Sequence, residues 1–69
     1  MNQEDAAIFT RMETNMGRNC SFTLDDGTVM HGVVSGIPNT QHYTVAVPRG
    51  EYQWPWYVRT EAIRFQDTV

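Results

Sequence analysis

Five features of this 69-residue sequence have chemistry to offer: the carboxylate pair Asp25-Asp26, the single thiol Cys20, the histidines His31 and His42, and Arg59, which opens the stretch RTEAI. The carboxylates precede Gly27, and Asp-Gly is the dipeptide a tight hairpin favours because its central residues need positive φ. They therefore read as turn chemistry and not as an acid/base pair. Cys20 alternates with Phe22 on an apolar strand pattern and has no paired histidine motif nearby, so it reads as a packed thiol. The two histidines are far apart and do not have the spacing of a metal site. There is no nucleophile–base motif and no phosphate-cradling glycine loop. The expectation is a non-enzyme with no catalytic residue, no cofactor and no metal. Binding remains, and Arg59 taken by itself pairs with Glu61 or with an acidic helix residue of a neighbouring molecule.

These side chains need elements to position them. Asn2 is a helix N-cap three residues before Asp5, and Glu4 and Asp5 put negative charge at the positive end of the dipole. Ile8, Phe9, Met12 and Met16 recur at helical spacing and Gly17 supplies a stop, so a helix is expected over about residues 3–16 with an apolar stripe in need of cover. From Asn19 the period changes to two. Cys20, Phe22 and Leu24 mark a first strand, the Asp26-Gly27 hairpin returns a second along Thr28 to Ser35, and Gly32 reads as a bend. SGIPNTQH, from Ser35 to His42, reads as a connection because Gly36, Pro38 and Asn39 are turn formers. A third strand carries Tyr43, Val45 and Val47, and Pro48 to Glu51 turns the chain. A fourth carries Trp54, Trp56 and Val58 on one side and Tyr57 on the other, with Pro55 confining it to an edge or delaying its start. Ile63 and Phe65 mark a short fifth strand.

The fold class expected is mainly β: an N-terminal α-helix followed by a five-stranded, strongly bent antiparallel sheet, a small barrel of the Sm-like or SH3-like kind, in one domain over residues 1–69 with the barrel over about 18–67. A chain of this length buries only about 60% of its unfolded surface. One cysteine permits no internal disulfide, so packing and self-association are the expected staples. No apolar stretch reaches the roughly 20 residues that span a bilayer, and MNQEDAAIF lacks a signal peptide's basic region; the expectation is a cytoplasmic protein with no membrane partner. The formal net charge of −3 argues against indiscriminate nucleic-acid binding and leaves a focused basic site open.

The segment LDDGTVMHGVVSGIPNTQHYTV resembles the first signature of the Sm-like family, and VRTEAI resembles the second, with Val58, Arg59 and Ile63 on pattern. The closing VRTEAIRF resembles the last strand of the bacterial RNA chaperones of that family. The resemblance covers nearly the whole chain. It implies a homo-oligomeric ring of about five to seven subunits, closed by the fifth strand of one copy on the fourth of the next, that binds single-stranded RNA. The implied RNA-binding residues are Arg59, His42, Thr40 and Thr60, and the implied subunit interface is Trp54, Trp56, Tyr57, Val58, Ile63 and Phe65. Several positions depart from the family pattern: Pro38 and His42 stand where Asp and Asn usually bracket the loop, Thr40 at the base-stacking position, and Thr60 and Glu61 after the arginine. Two other readings stand beside this one: a ring or barrel acting as a protein-interaction or structural module without RNA, and a monomeric SH3-like module that binds peptides through its tryptophans.

Overall fold

A computed structural model describes residues 2–66. Its elements are α1 (Gln3–Asn15), β1 (Asn19–Thr23), β2 (Val29–Asn39), β3 (His42–Arg49), β4 (Tyr52–Arg59), a 3-10 turn η1 (Thr60–Ala62) and β5 (Arg64–Phe65). The residue-67 end of the expected barrel lies outside the described residues. All strand pairings are antiparallel, in the order β4-β3-β2-β1-β5, and the bent sheet stays open between β4 and β5. Among the described residues no helix is long and apolar enough to cross a membrane.

α1 starts where its cap predicts: Asn2 Oδ1 accepts from the Asp5 N–H at 2.8 Å, which satisfies one of the helix's orphan donors. Asn2→Ala is expected to cost about 1 kcal/mol, read as a lower urea midpoint. The helix face differs from the expectation. Ile8 is half-buried against the core, whereas Phe9, Met12 and Met16 remain 52%, 43% and 41% exposed. The sheet is met instead by the row Ile8, Arg11 and Asn15. The Asn15 amide donates to Tyr43 Oη at 2.9 Å, and its carbonyl oxygen accepts from Arg18 at 2.8 Å. Polar groups with partners on the sheet thus set the rotation of the helix, about a quarter turn away from its apolar stripe.

The β1–β2 hairpin carries three loop residues, not a two-residue turn. Leu24 N–H bonds Thr28 O at 2.8 Å and Gly27 N–H bonds Leu24 O at 2.9 Å. Only Gly27 takes positive φ, at 91°, while Asp26 does not. The Asp26 carboxylate instead accepts from the Thr28 N–H at 2.9 Å, and that bond lowers its pKa. Its role is that of a turn residue, as the sequence suggests.

β2 is the longest strand, at 11 residues. Its first half pairs with β1 and its second with β3, meeting at Val33, which faces both Asn19 and Ala46. Gly32 lies at this bend, where a Cβ would stand 2.5 Å from Ala46 O and 2.7 Å from Val45 Cγ1. The stretch Ser35 to Asn39, expected to be a connection, continues the strand through register shifts between Val34, Gly36 and Asn39. Only Thr40 and Gln41 turn. Bulges let the strand take up turn-forming residues without ending.

Cys20, Phe22, Val34, Ile37, Tyr43, Val45, Val47, Val58 and Ile63 form the core. Burial raises the Cys20 thiol's pKa, consistent with a packed side chain.

β4 is an edge strand from Tyr52 onward. Thr60 N–H bonds Gln41 O at 2.8 Å, and the unshifted register puts His42 opposite Arg59. Because antiparallel pairs alternate, residues 52, 54, 56 and 58 direct their backbone groups to β3, while Gln53, Pro55, Tyr57 and Arg59 direct theirs to the open edge. Pro55 therefore withholds a donor where the sheet has no neighbour. On the other side, Gln66 N–H bonds Asn19 O at 3.0 Å and Phe65 faces Cys20, so the backbone groups of Phe65 look outward as well.

Candidate nucleic-acid interface

The fold brings together Thr40, His42, Arg59 and Thr60, residues separated by up to 20 positions in sequence. His42 and Arg59 are direct cross-strand partners, and Thr60 follows immediately, tied to Gln41. Tyr57 lies diagonally from His42 on the same sheet face, within the reach of long side chains across a strand pair. Pro38, Asn39, His42 and Tyr57 line a cleft of about 400 Å³.

Asn39 orders the loop. Its Oδ1 accepts from the Gln41 N–H at 2.9 Å and lies 3.0 Å from His42 Nδ1. A carbonyl oxygen only accepts, so Nδ1 must carry the hydrogen and the lone pair of the neutral ring sits on Nε2. The Asn39 Nδ2 group keeps its two donors. The cleft thus offers an acceptor, two donors and an aromatic face in one place, a set suited to the edge and face of a planar base.

Beneath this cluster lies Arg11, a residue that composition and spacing do not single out. Its Nη1 donates to Thr40 O and, at 3.4 Å, to Thr60 Oγ1, while its guanidinium carbon stands 5.9 Å from the Tyr43 ring centroid. One side chain from α1 therefore holds the β2–β3 turn and the β4–η1 junction together. The only sequence signal for it is its position three residues after Ile8, on the face that turns out to be the docking face.

Arg59 itself is exposed and pairs with Glu61 at 3.0 Å, both side chains more than 70% accessible. Such a surface pair contributes about 0–1 kcal/mol, so a phosphate can displace the carboxylate at little cost.

The six residues expected at a subunit interface divide. Val58 and Ile63 are buried in this chain's own core. Trp56 is half-buried with its ring tilted against Phe22 at 5.7 Å, and Phe65 meets Tyr43 edge-on at 5.7 Å beneath the Arg18 guanidinium. Trp54 and Tyr57 are exposed, as is Tyr52, which lies outside the expected interface set. A second cleft, about 560 Å³, opens beside the β4 edge between Phe22, Leu24 and Asp25 on one wall and Trp56, Val58 and Arg59 on the other. Compared with protein-family models, curated proteins and solved structures, the chain matches none.

Proposed function

We propose that this chain is an Sm-like protein that assembles into a homo-oligomeric ring of about five to seven copies and binds single-stranded RNA, without catalysis, in the cytoplasm. The observation that carries the RNA reading is the convergence of Thr40, His42, Arg59 and Thr60 beside the Pro38–Tyr57 cleft. A base stacks on Tyr57 or His42, its edge meets Asn39 Nδ2 and His42 Nε2, and Arg59 leaves Glu61 for the phosphate. Assembly is supported by two unpaired strand edges in one molecule, β4 and β5. A ring repeats Arg59 around its axis and concentrates positive charge despite the acidic total.

Fluorescence anisotropy with oligo-U and oligo-A at several salt concentrations tests this reading. The unaltered chain is expected to bind at low salt, and Arg59→Ala to weaken binding roughly 10- to 150-fold, the equivalent of about 1.5–3 kcal/mol for one hydrogen bond to a charged group. No binding at low salt rejects RNA.

A further inference from the structure

The contact between Asn39 and His42 decides where the imidazole can take up a proton. Asn39 Oδ1 lies 3.0 Å from His42 Nδ1 and only accepts, so the Nδ1 hydrogen is held there and a second proton must enter at Nε2. That proton leaves the Asn39 contact intact and turns the remaining nitrogen from acceptor into donor. His31 is arranged the other way round. Its Nδ1 lies 2.9 Å from Gln66 Nε2, a donor, so the His31 lone pair is already engaged and protonation there sets two donors against each other. We infer that His42 selects the base in the Pro38–Tyr57 cleft, and that its protonation narrows the choice from any base to guanine and cytosine. The inference rests on the RNA reading proposed above.

Beside His42 Nε2 the cleft carries the Asn39 Nδ2 donors. With a neutral ring, a donor and an acceptor stand side by side, and each of the four bases has an edge on which an acceptor adjoins an N–H. With a protonated ring only donors remain, and a matching base must present two adjacent acceptors. Guanine does so at O6 and N7, cytosine at O2 and N3. In adenine N1 and N7 both adjoin the exocyclic amine, and in uracil N3–H separates the two carbonyls, so either base sets a donor against a donor. The charged and titratable groups around the ring are Arg59, its cross-strand partner on β4; Glu61 of η1, held by Arg59 at 3.0 Å; Tyr57 in the cleft; and Arg11 of α1, on the Thr40 carbonyl. Of these side-chain types imidazole alone changes charge between about pH 5 and 8, so a change of base preference inside that window belongs to a histidine. The added charge beside Arg59 also strengthens the hold on phosphate, equally for every base. The signature is therefore the ratio between bases.

Fluorescence anisotropy with short oligo-A, oligo-C and oligo-U strands, at low salt and at about pH 8 and about pH 6, tests the inference. On lowering the pH, the C:A and C:U affinity ratios are each expected to rise roughly fivefold or more, the low end of one base-discriminating pair of hydrogen bonds, while A:U stays level. His42→Gln is expected to bind with ratios that do not move with pH, because its amide keeps a donor and an acceptor throughout. His31→Gln is expected to behave as the unaltered chain. By linkage, the NMR titration midpoint of the His42 ring should rise when oligo-C is bound and not when oligo-A is. Level C:A and C:U ratios in the unaltered chain, with binding intact, overturn the inference and leave the RNA reading standing. So does equal tightening for all three strands, which gives the proton to the phosphate alone, or a shift in ratio that survives in His42→Gln. Absence of oligo-U binding at low salt removes both.

Discussion

Gly32→Ala is expected to remove most of the stability of this domain. A 69-residue fold holds roughly 3–10 kcal/mol in total. The added Cβ would stand 2.5 Å from the Ala46 carbonyl oxygen, 2.7 Å from Val45 Cγ1 and 3.1 Å from the Ala46 carbonyl carbon. Two of these three atoms are backbone of the neighbouring strand, so no rotamer change clears them. Val45 is fully buried and has no space to retreat into. Relief requires moving β2 away from β3 beside the Val33–Ala46 pair, where β2 passes from one partner strand to the other. Overpacking costs about 1–3 kcal/mol where side chains can yield, and more where backbone must move. Gly36→Ala is the internal control, because its nearest neighbour is Thr44 Cβ at 3.6 Å, an ordinary contact. Urea unfolding at matched protein concentration should show a large loss of midpoint for Gly32→Ala and less than about 1 kcal/mol for Gly36→Ala. Equal midpoints for the two would refute the bend as drawn.

Arg11→Ala is expected to loosen the candidate site without touching any ligand. The guanidinium reaches Thr40 O and Thr60 Oγ1 from the helix, and hydrogen bonds to a charged donor are worth about 1.5–3 kcal/mol. Without it, the β2–β3 turn and the β4–η1 junction keep only the Thr60–Gln41 backbone bond between them. Amide exchange at Thr60 and Gln41 should accelerate while Cys20 and Phe22, in the β1–β2 ladder, stay protected. Uniform acceleration across the sheet would mean that Arg11 supports the whole fold and not the site. Arg11→Lys should fail to restore protection, because an ammonium is a point charge and does not reproduce the planar fork that spans both acceptors. Oligo-U affinity should fall in parallel, about tenfold, since the residues that Arg11 orders are those assigned to the base and the phosphate.

The succession of elements was legible because each carries a local device: the Asn2 cap, the Gly17 stop, the change of period at Asn19, the Asp-Gly turn. Helical periodicity showed that Phe9, Met12 and Met16 share a side. It did not show which side docks. That was decided by Arg11 and Asn15, whose acceptors on Thr40, Thr60 and Tyr43 are 28 to 49 residues away and are brought near only by the folded sheet. Gly36 and Pro38 prefer turns locally, yet pairing with β3 carries the strand through them at the expense of two register shifts. Arg59, His42, Thr40 and Thr60 are picked out by a pattern resemblance alone, and the fold sets them side by side. Asn39 and Arg11, which orient them, have no one-dimensional signature, because a scaffolding role depends on what stands opposite in space.

Pro55 gives the open edge of β4 a length filter. Donors at Tyr57 and Arg59 flank one uninterrupted stretch, while the donor at Gln53 lies beyond a gap. An incoming strand of two or three residues, the size of β5, finds every bond it needs on the Tyr57–Arg59 side. A longer ribbon must cross the proline and leave one of its own carbonyls unanswered. In the proposed ring, an edge that admits a short guest therefore discourages endless sheet growth, and Pro55→Ala is expected to convert a discrete assembly into one prone to fibres, read by light scattering.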